Sequence, residues 1–423
     1  MNHRLLILGS SEEFIQLVNL AKQRNIETIV CDGNPEGPAR NYADKTYTVD
    51  VREIDRIAEI CLCEHADGII TAFSDLLLEC MVRIADKASL PCFLTPDQLD
   101  YYRNKDTMKQ MFRLLAIPTP RYLRLKPDFS GEELKDFQFP VVTKPLDKYG
   151  SRGVLVLDSE EEIRRSYYDI CSSSDVKEIL IEEYNPGYEF NLMAWVSHGE
   201  VHILGIADRE KTEAEPKTIP VCSRNVYPSC LMPHVLDDAK QILQKIVQYT
   251  GQKEGELSMQ FFWTPQKGME VCEVAARFLG YEHELIELCS GFSLEELLLN
   301  YVYEPEKIPE MLRTHNPCFG TSSAVLYFHG RERRIADMHA AERCMASPEL
   351  LQSWLFYKTG EQVQKFTRPY VARCYIKADT RAELDALTDR IFSGMSITDP
   401  SGEEILYRNQ RPDYDASLLA TKN

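Results

Sequence analysis

Two hydrophobic patterns alternate along the chain from its first residues. Residues 4–8 (RLLIL) are a short continuous apolar run, the mark of a buried strand. In the following GSSEEFIQLVNLAKQRN, Phe14, Leu17, Val18 and Ala21 recur at helical spacing and predict a helix with one apolar face. ETIVCD reads as a second strand, and ADGIITAF as a third that leads into the helix DLLLECMVRIADKASL. Strands alternating with helices imply a parallel sheet covered on both faces.

The pattern then changes. In LTPDQLDYYRNKDTMKQMFRLLAIPTP, Thr95, Pro96 and Gln98 form a capping-box start, and the helix is expected to stop at Pro118–Pro120. FPVVTKPLDKYGSRGVLVLDS is two β-rich runs joined by a polar, glycine-containing loop. SEEEIRRSYYDI reads as an acid-capped helix and EILIEEY as a strand. Residues 189–275 are strand-rich, with one helix expected near 236–250; His198 and His202 read as hairpin residues. Beyond the proline-marked stretch 304–317, SSAVLYFHG and YVARCYIKA predict strands and TRAELDALTDRIF a helix. There is no internal repeat and no low-complexity tail.

Length and composition narrow the classes of function. At 423 residues the chain predicts two to four domains, and 44% hydrophobic with 27% charged residues is ordinarily globular. A net charge of −18 disfavours a nucleic-acid partner, which needs clustered basic residues, while leaving room for a local basic pocket. The opening MNHRLLILGSSEEF turns polar too soon for a signal peptide, and no stretch reaches transmembrane length. The 13 cysteines are scattered, with Cys61 and Cys63 the nearest pair, so we expect reduced, mostly packed thiols in a cytoplasmic protein. A dinucleotide fold needs three glycines at the first turn; Gly9 stands alone before Asp32, which places an oxidoreductase last among the readings.

The residues suited to chemistry lie at element ends. Lys105 is in RNKDTM, and Lys144 ends the strand PVVTK, where it can reach phosphate oxygens as a point charge. Gly150 and Gly153 of the following loop permit close backbone approach to an anion. LSMQFFW and MEVCEVA flank TPQKG as a hairpin. If Pro265 and Gly268 face each other across a two-residue turn, Gln260 lies opposite Glu273, two oxygen donors of the kind Mg²⁺ takes. Strand alternation puts Glu273, Ala275 and Arg277 on one face and Glu270 on the other, with Cys272 turned away from Glu273 as a packed thiol. LIEEYNPGYEFNL adds Glu182, Glu183, Asn185 and Glu189 around a Pro-Gly turn.

Taken in order, the Asn-Lys helix, FPVVTKP, SRGV, IEEY…GYE and MQFF…VCEVAAR resemble the ATP-grasp superfamily over roughly residues 1–310. The start of the chain is similar to the αβ domain that precedes the grasp fold in carbamoyl-phosphate synthetase and biotin carboxylase. RNVYPSCL and RFLGYEHELIELCSGFSLEELLL are more similar to the amino-acid ligase branch. The resemblance implies an α/β and α+β protein. Its parts would be a parallel αβ domain over residues 1–100, an ATP-grasp domain over 101–310 with a lid subdomain near 120–187, and an α+β region over 311–423 packed on the core. It implies ATP with Mg²⁺, or Mn²⁺ in its place. Lys105 and Lys144 would hold the α- and β-phosphates, and Gly150, Ser151, Arg152 and Gly153 would form a lid. Glu182 and the backbone of Glu183 and Asn185 would line the adenine pocket, Glu189 would bind the ribose, Gln260 and Glu273 the metal, and Arg277 the transferred phosphate. Ala275 departs from the family, which usually has an asparagine ligand there. The activity implied is ATP-dependent ligation of a small-molecule carboxylate to an amine, amino-acid-like in kind, through an acyl phosphate and giving ADP and phosphate, without nucleic acid or membrane; a homodimer is common in look-alikes. The competitors are an enzyme using bicarbonate, and a nucleotide-binding protein without turnover.

Overall fold

The computed structural model describes residues 3–146, 153–172, 174, 176–364, 368 and 370–419. Its first apolar runs become strands β1 (Arg4–Leu8), β2 (Glu27–Asp32), β3 (Lys45–Thr48) and β4 (Gly68–Ile70). They form a parallel sheet in the order β3-β2-β1-β4. The short strand β3 has exposed and half-buried positions only, so its sequence carries no apolar signal. The strand order, not the strand direction, reverses between β1 and β4, and ligands of open α/β sheets favour such crevices. Here a Cβ on Gly9 would meet Phe14 at 2.6 Å and Leu77 at 2.8 Å, so the turn is filled by packing and the lone glycine serves that contact.

The expected long helix is two helices. Thr95 and Gln98 make the reciprocal capping box of Pro96–Arg103, as the sequence implies. Asn104 then leaves helical geometry at ψ 113°, and its side chain accepts the N–H groups of Asp106 and Thr107 to start Lys105–Leu114. An asparagine followed by an acid in the first turn is an N-terminal signal in its own right. Lys105 therefore opens a helix, and Lys109 follows one turn later on the same side.

A small antiparallel sheet comes next, built from β5 (Tyr122–Leu125), β6 (Val141–Pro145), β7 (Leu155–Leu157) and β8 (Ile179–Glu183) in the order β5-β8-β6-β7. The helix Glu160–Cys171 covers it through Ile163, Tyr167 and Ile170. Gly150, Ser151 and Arg152 lie outside the described residues.

The remaining strands share one large sheet. Its members are β9 (Tyr188–Ser197), β10 (Glu200–Thr212), β11 (Cys222–Tyr227), β12 (Gly255–Thr264), β13 (Gly268–Ala275), β14 (Ser322–His329), β15 (Gln352–Leu355), β16 (Tyr370–Ala378) and β17 (Asn409–Gln410). The order is β13-β12-β9-β10-β11-β14-β16-β15, with β17 paired to β10. The strands of residues 322–378 thus extend the same sheet that carries Gln260 and Glu273. Helix Met232–Thr250 packs on β10 and starts four residues earlier than its expected 236. The core is shared: Leu6 and Leu8 of β1 join a cluster with Phe190 and Phe261, while Leu5 and Ile7 join one with Trp195, Tyr227 and Tyr375. No helix among the described residues is long and apolar enough to cross a membrane, and none of the thirteen cysteines is in a disulfide.

Candidate active site

The β12–β13 hairpin sets the geometry. Its turn is one residue longer than expected, because Thr264, not Pro265, pairs with Gly268. Pairing then runs Trp263 with Met269, Phe262 with Glu270 and Phe261 with Val271 before jumping to Gln260 with Glu273. Cys272 is the extra residue of a β-bulge. The two departures cancel, so Gln260 still faces Glu273.

The bulge corrects the face assignment. Met269, Val271 and Val274 are buried in the core, so the alternation slips one step across Cys272 and Glu273. Gln260 and Phe262 are two apart on the unbroken strand β12, so their partners Glu273 and Glu270 share a face. Glu270 does not point away, and Cys272 is not turned from Glu273: it lines the same cleft. Glu270 accepts a hydrogen bond from the Asn185 amide, whose oxygen takes the Gly187 N–H at 2.7 Å.

That cleft lies among Lys105, Lys109, Lys144, Glu182, Glu273 and Arg277. Glu182 is buried and bridges two lysines, pairing with Lys144 and with Lys109 at 3.0 Å. Burial opposes its charge, yet Lys144 and Lys109 hold its carboxyl at about 2. Burial likewise opposes the charge on Lys144, and Glu182 reverses this and drives that lysine's pKa up. Lys105 is lowered, first by burial and then by the like charge of Lys144. Lys109 is 7% exposed, donates to the Thr119 hydroxyl at 2.7 Å and stands over the Tyr122 ring. It was missed in the sequence, although its place four residues after Lys105 was the available signal.

Glu189 is equally engaged. It accepts from the Gln260 amide, pairs with Arg209 at 2.9 Å and contacts Lys211. Glu183 accepts the Gln138 N–H at 3.0 Å, and its own N–H is bonded to the Arg121 carbonyl. Arg277 donates from Nε and Nη2 to the two oxygens of Asp75 at 2.9 and 3.0 Å. Arg103 reaches Asp75 at 3.8 Å and Glu79 at 3.2 Å. Asp75 sits in the first turn of Asp75–Ala88, at the end of the αβ domain's switch-point crevice, so its role is visible only in three dimensions.

Two buried carboxyls flank the arginine. Glu256 accepts the Phe278 N–H at 2.7 Å, and burial lifts it to about 8. Glu282 accepts from Asn191 at 2.7 Å, Asn225 at 2.8 Å and Tyr227 at 3.0 Å; burial outweighs these donors and lifts it to about 7.

The donor set fits the groups implied by the sequence. Gln260 and Glu273 offer hard oxygens on one face, and Mg²⁺ takes such ligands, keeps waters and leans on phosphate oxygens. Among the described residues no three His, Cys, Asp or Glu gather into a metal cluster, and Glu270 on the same face is bonded to Asn185. Lys105, Lys109 and Lys144 supply the cations that phosphates need. Ala275 offers no ligand.

Two family models match the chain: an ATP-grasp domain over residues 137–283, and a PylC-like N-terminal domain over residues 5–89. The chain is 25% identical over 352 residues to the carbamoyl phosphate synthase large chain of Clostridium botulinum (strain Langeland), a match covering 76% of this chain and 32% of that protein. The chain thus spans about a third of such relatives. It is 24% identical over 315 residues to the 3-methyl-D-ornithine–L-lysine ligase of Methanosarcina barkeri, covering 72% of this chain and 76% of that one. In fold it is similar to the L-amino acid ligase from Bacillus licheniformis, with a TM-score of 0.76 at 15% identity over 94% of this chain and 99% of that one.

Proposed function

Because the chain is an ATP-grasp protein with a PylC-like N-terminal domain, we propose that it joins a carboxylate to an amine, releasing ADP and phosphate. One observation carries this reading: Lys105, Lys109, Lys144 and Arg277 converge on the cleft that Glu273 also lines. A phosphoryl group in such a cleft meets positive charge on its oxygens and a carboxylate able to share a metal.

In this reading Lys105 and Lys144 hold the α- and β-phosphates, and Lys109 keeps Lys144 and Glu182 in register. Glu182, Glu183 and Asn185 border the adenine, Glu189 the ribose, and Gly150, Ser151, Arg152 and Gly153 close over the phosphates. Gln260 and Glu273 would hold Mg²⁺, with Mn²⁺ as a substitute. When bound, the metal supplies charge neutralisation between the phosphates. Arg277 is aimed by Asp75 and steadies the phosphoryl group as it passes to the substrate carboxylate. The C–N bond then forms as the amine attacks the acyl carbon, the C–O bond to phosphate breaks, and phosphate leaves. The amine gives up its proton to solvent as the new bond forms. Such catalysis rests on positioning and charge and needs no side-chain nucleophile.

The reading places the enzyme in the cytoplasm with small-molecule substrates, as a homodimer that light scattering would detect. The functional test is coupled ADP release with amino acids and other small carboxylates, singly and in pairs, followed by product mass. Release that needs a carboxylate and an amine together supports the ligase. Release with bicarbonate alone assigns the chain to carboxylation instead, and nucleotide binding without release leaves a regulator.

A further inference from the structure

The sheet face that carries Gln260 continues across β10, β11 and β14 to β16. There Arg373 is only 1% exposed, with Tyr327 and Trp354 as its register partners on the adjoining strands. Aromatic rings enclose the guanidinium: Tyr281 at 3.7 Å, Trp354 at 4.4 Å, Phe356 at 5.7 Å and Tyr375 at 5.8 Å from ring centroid to Cζ. Nη2 donates to Glu12 at 3.2 Å. Nε and Nη1 meet no acceptor in good hydrogen-bond geometry: the Tyr281 ring lies over the guanidinium, and its hydroxyl interacts with Arg373 without a well-formed bond to either nitrogen. Arginine has five donors in a fixed fork, and buried polar groups are nearly always partnered. Each two-donor edge of this guanidinium, Nη2 with Nε or Nη2 with Nη1, therefore keeps an idle N–H.

An idle guanidinium edge matches a planar, two-oxygen anion. The surroundings select which. Glu12 stands against the guanidinium, and Glu13 is bonded to the Tyr281 N–H at 2.7 Å. Two acids this close disfavour a doubly charged phosphate and tolerate the single negative charge of a zwitterion. Position adds the rest. Tyr281 follows Arg277 by four residues, a span of at most ~14 Å along the backbone, so the anchor and the phosphate-binding arginine lie within reach of one joined product. Tyr281 has φ 59°, in the left-handed region, so its backbone is held where few non-glycine residues settle. Its ring must turn aside to admit a carboxylate.

We propose that Arg373 anchors the carboxylate of the amine substrate, which makes that substrate an amino acid; this rests on the ligase reading above. The anchored carboxylate is held and not consumed. The amino acid's own nitrogen forms the new C–N bond at the acyl phosphate, whose C–O bond breaks.

Trp354 beside the guanidinium supplies a readout that does not depend on turnover. Nucleotide-free protein is titrated with the standard L-amino acids in turn, following tryptophan emission, with Trp354→Phe to isolate that residue's signal. Each amino acid that shifts it is compared with its carboxamide. The expected result is saturable binding of at least one amino acid, roughly tenfold or more weaker for its carboxamide and for Arg373→Lys, as losing a charge-assisted fork implies. No shift with any amino acid, equal binding of the carboxamide, or undiminished binding by Arg373→Lys overturns the proposal. Should Arg373→Lys fail to fold, the acid–carboxamide comparison on the unaltered protein decides alone. Two outcomes separate this proposal from the one it rests on. ADP release with a plain alkylamine matching that with amino acids removes the anchor and keeps the ligase. Amino-acid binding at Trp354 without ADP release under any pairing keeps the anchor and removes the ligase.

Discussion

Arg277 and Asp75 are joined by a two-pronged ion pair, with Nε and Nη2 donating to the two carboxylate oxygens at 2.9 and 3.0 Å. The pair ties the end of β13 to the first turn of a helix in the αβ domain, so it both orients the arginine and fastens two parts of the chain. Asp75 is half-buried and the pair is partly screened. Asp75→Asn should therefore cost about 1–2 kcal/mol of stability, read as a lower urea midpoint, and should lower kcat more than it raises KM. An unchanged midpoint would mean that the pair holds nothing together.

Glu182 holds Lys144 and Lys109 at once. Lys144→Ala should weaken ATP binding more than tenfold, as losing a charge-assisted contact of ~1.5–3 kcal/mol implies. Lys109→Met should weaken it less, because Lys109 acts through Glu182. Calorimetry of both variants checks the order; equal affinity for Lys144→Ala would remove that lysine from the nucleotide site.

The bulge at Cys272 puts Glu270 beside Glu273 on one face. Glu273→Gln should reduce turnover on the order of 10²-fold by removing a metal carboxylate. Glu270→Gln should have a smaller but measurable effect, through Asn185 and the shared face. Ala275→Asn should leave metal affinity level or raise it, since it adds an oxygen where only a methyl stands. Metal titrations of ADP release rank the three. A silent Glu273→Gln with a damaging Glu270→Gln would move the metal site along the strand.

Glu256 gives a pH signature. Burial raises its carboxyl from 4.5 to about 8, so the folded state binds the proton more tightly than the unfolded chain. Its contribution is fully present below about pH 4.5 and is lost as pH rises through about 8. Glu256→Gln keeps an acceptor for the Phe278 N–H while removing the charge, and should flatten the fall in unfolding free energy between pH 5 and 8, a fall on the order of a few kcal/mol in the unaltered protein, read from urea midpoints across that range. A slope equal to that of the unaltered protein would assign the titration elsewhere.

Much of this site was legible because its residues sit in short, ordered motifs. The pairing of Gln260 with Glu273 follows from the hairpin, and the capping box at Thr95 from local chemistry alone, while the parts proposed for Gln260, Glu273 and Arg277 come from the family resemblance. What escaped depends on one inserted residue or on distant contacts. A bulge changes no residue type, so alternation assigned Glu270 and Cys272 to the wrong side. The break at Asn104 was overlooked because hydrophobic spacing runs through it, although the asparagine cap was present. Asp75 and Arg373 look like ordinary surface charges in sequence, and only the packing of separate elements brings them to Arg277 and to the aromatic box.

The central claim is that ATP activates a carboxylate at the face of Glu273 and Arg277. The carboxylate identified by ADP release, labelled with ¹⁸O in both carboxyl oxygens, tests it most directly when incubated with ATP, Mg²⁺ and its amine. The account predicts one labelled oxygen in each inorganic phosphate released, since the acyl phosphate's bridging oxygen comes from the carboxylate, and loss of that transfer in Glu273→Gln. Phosphate released without label while the product forms would contradict it.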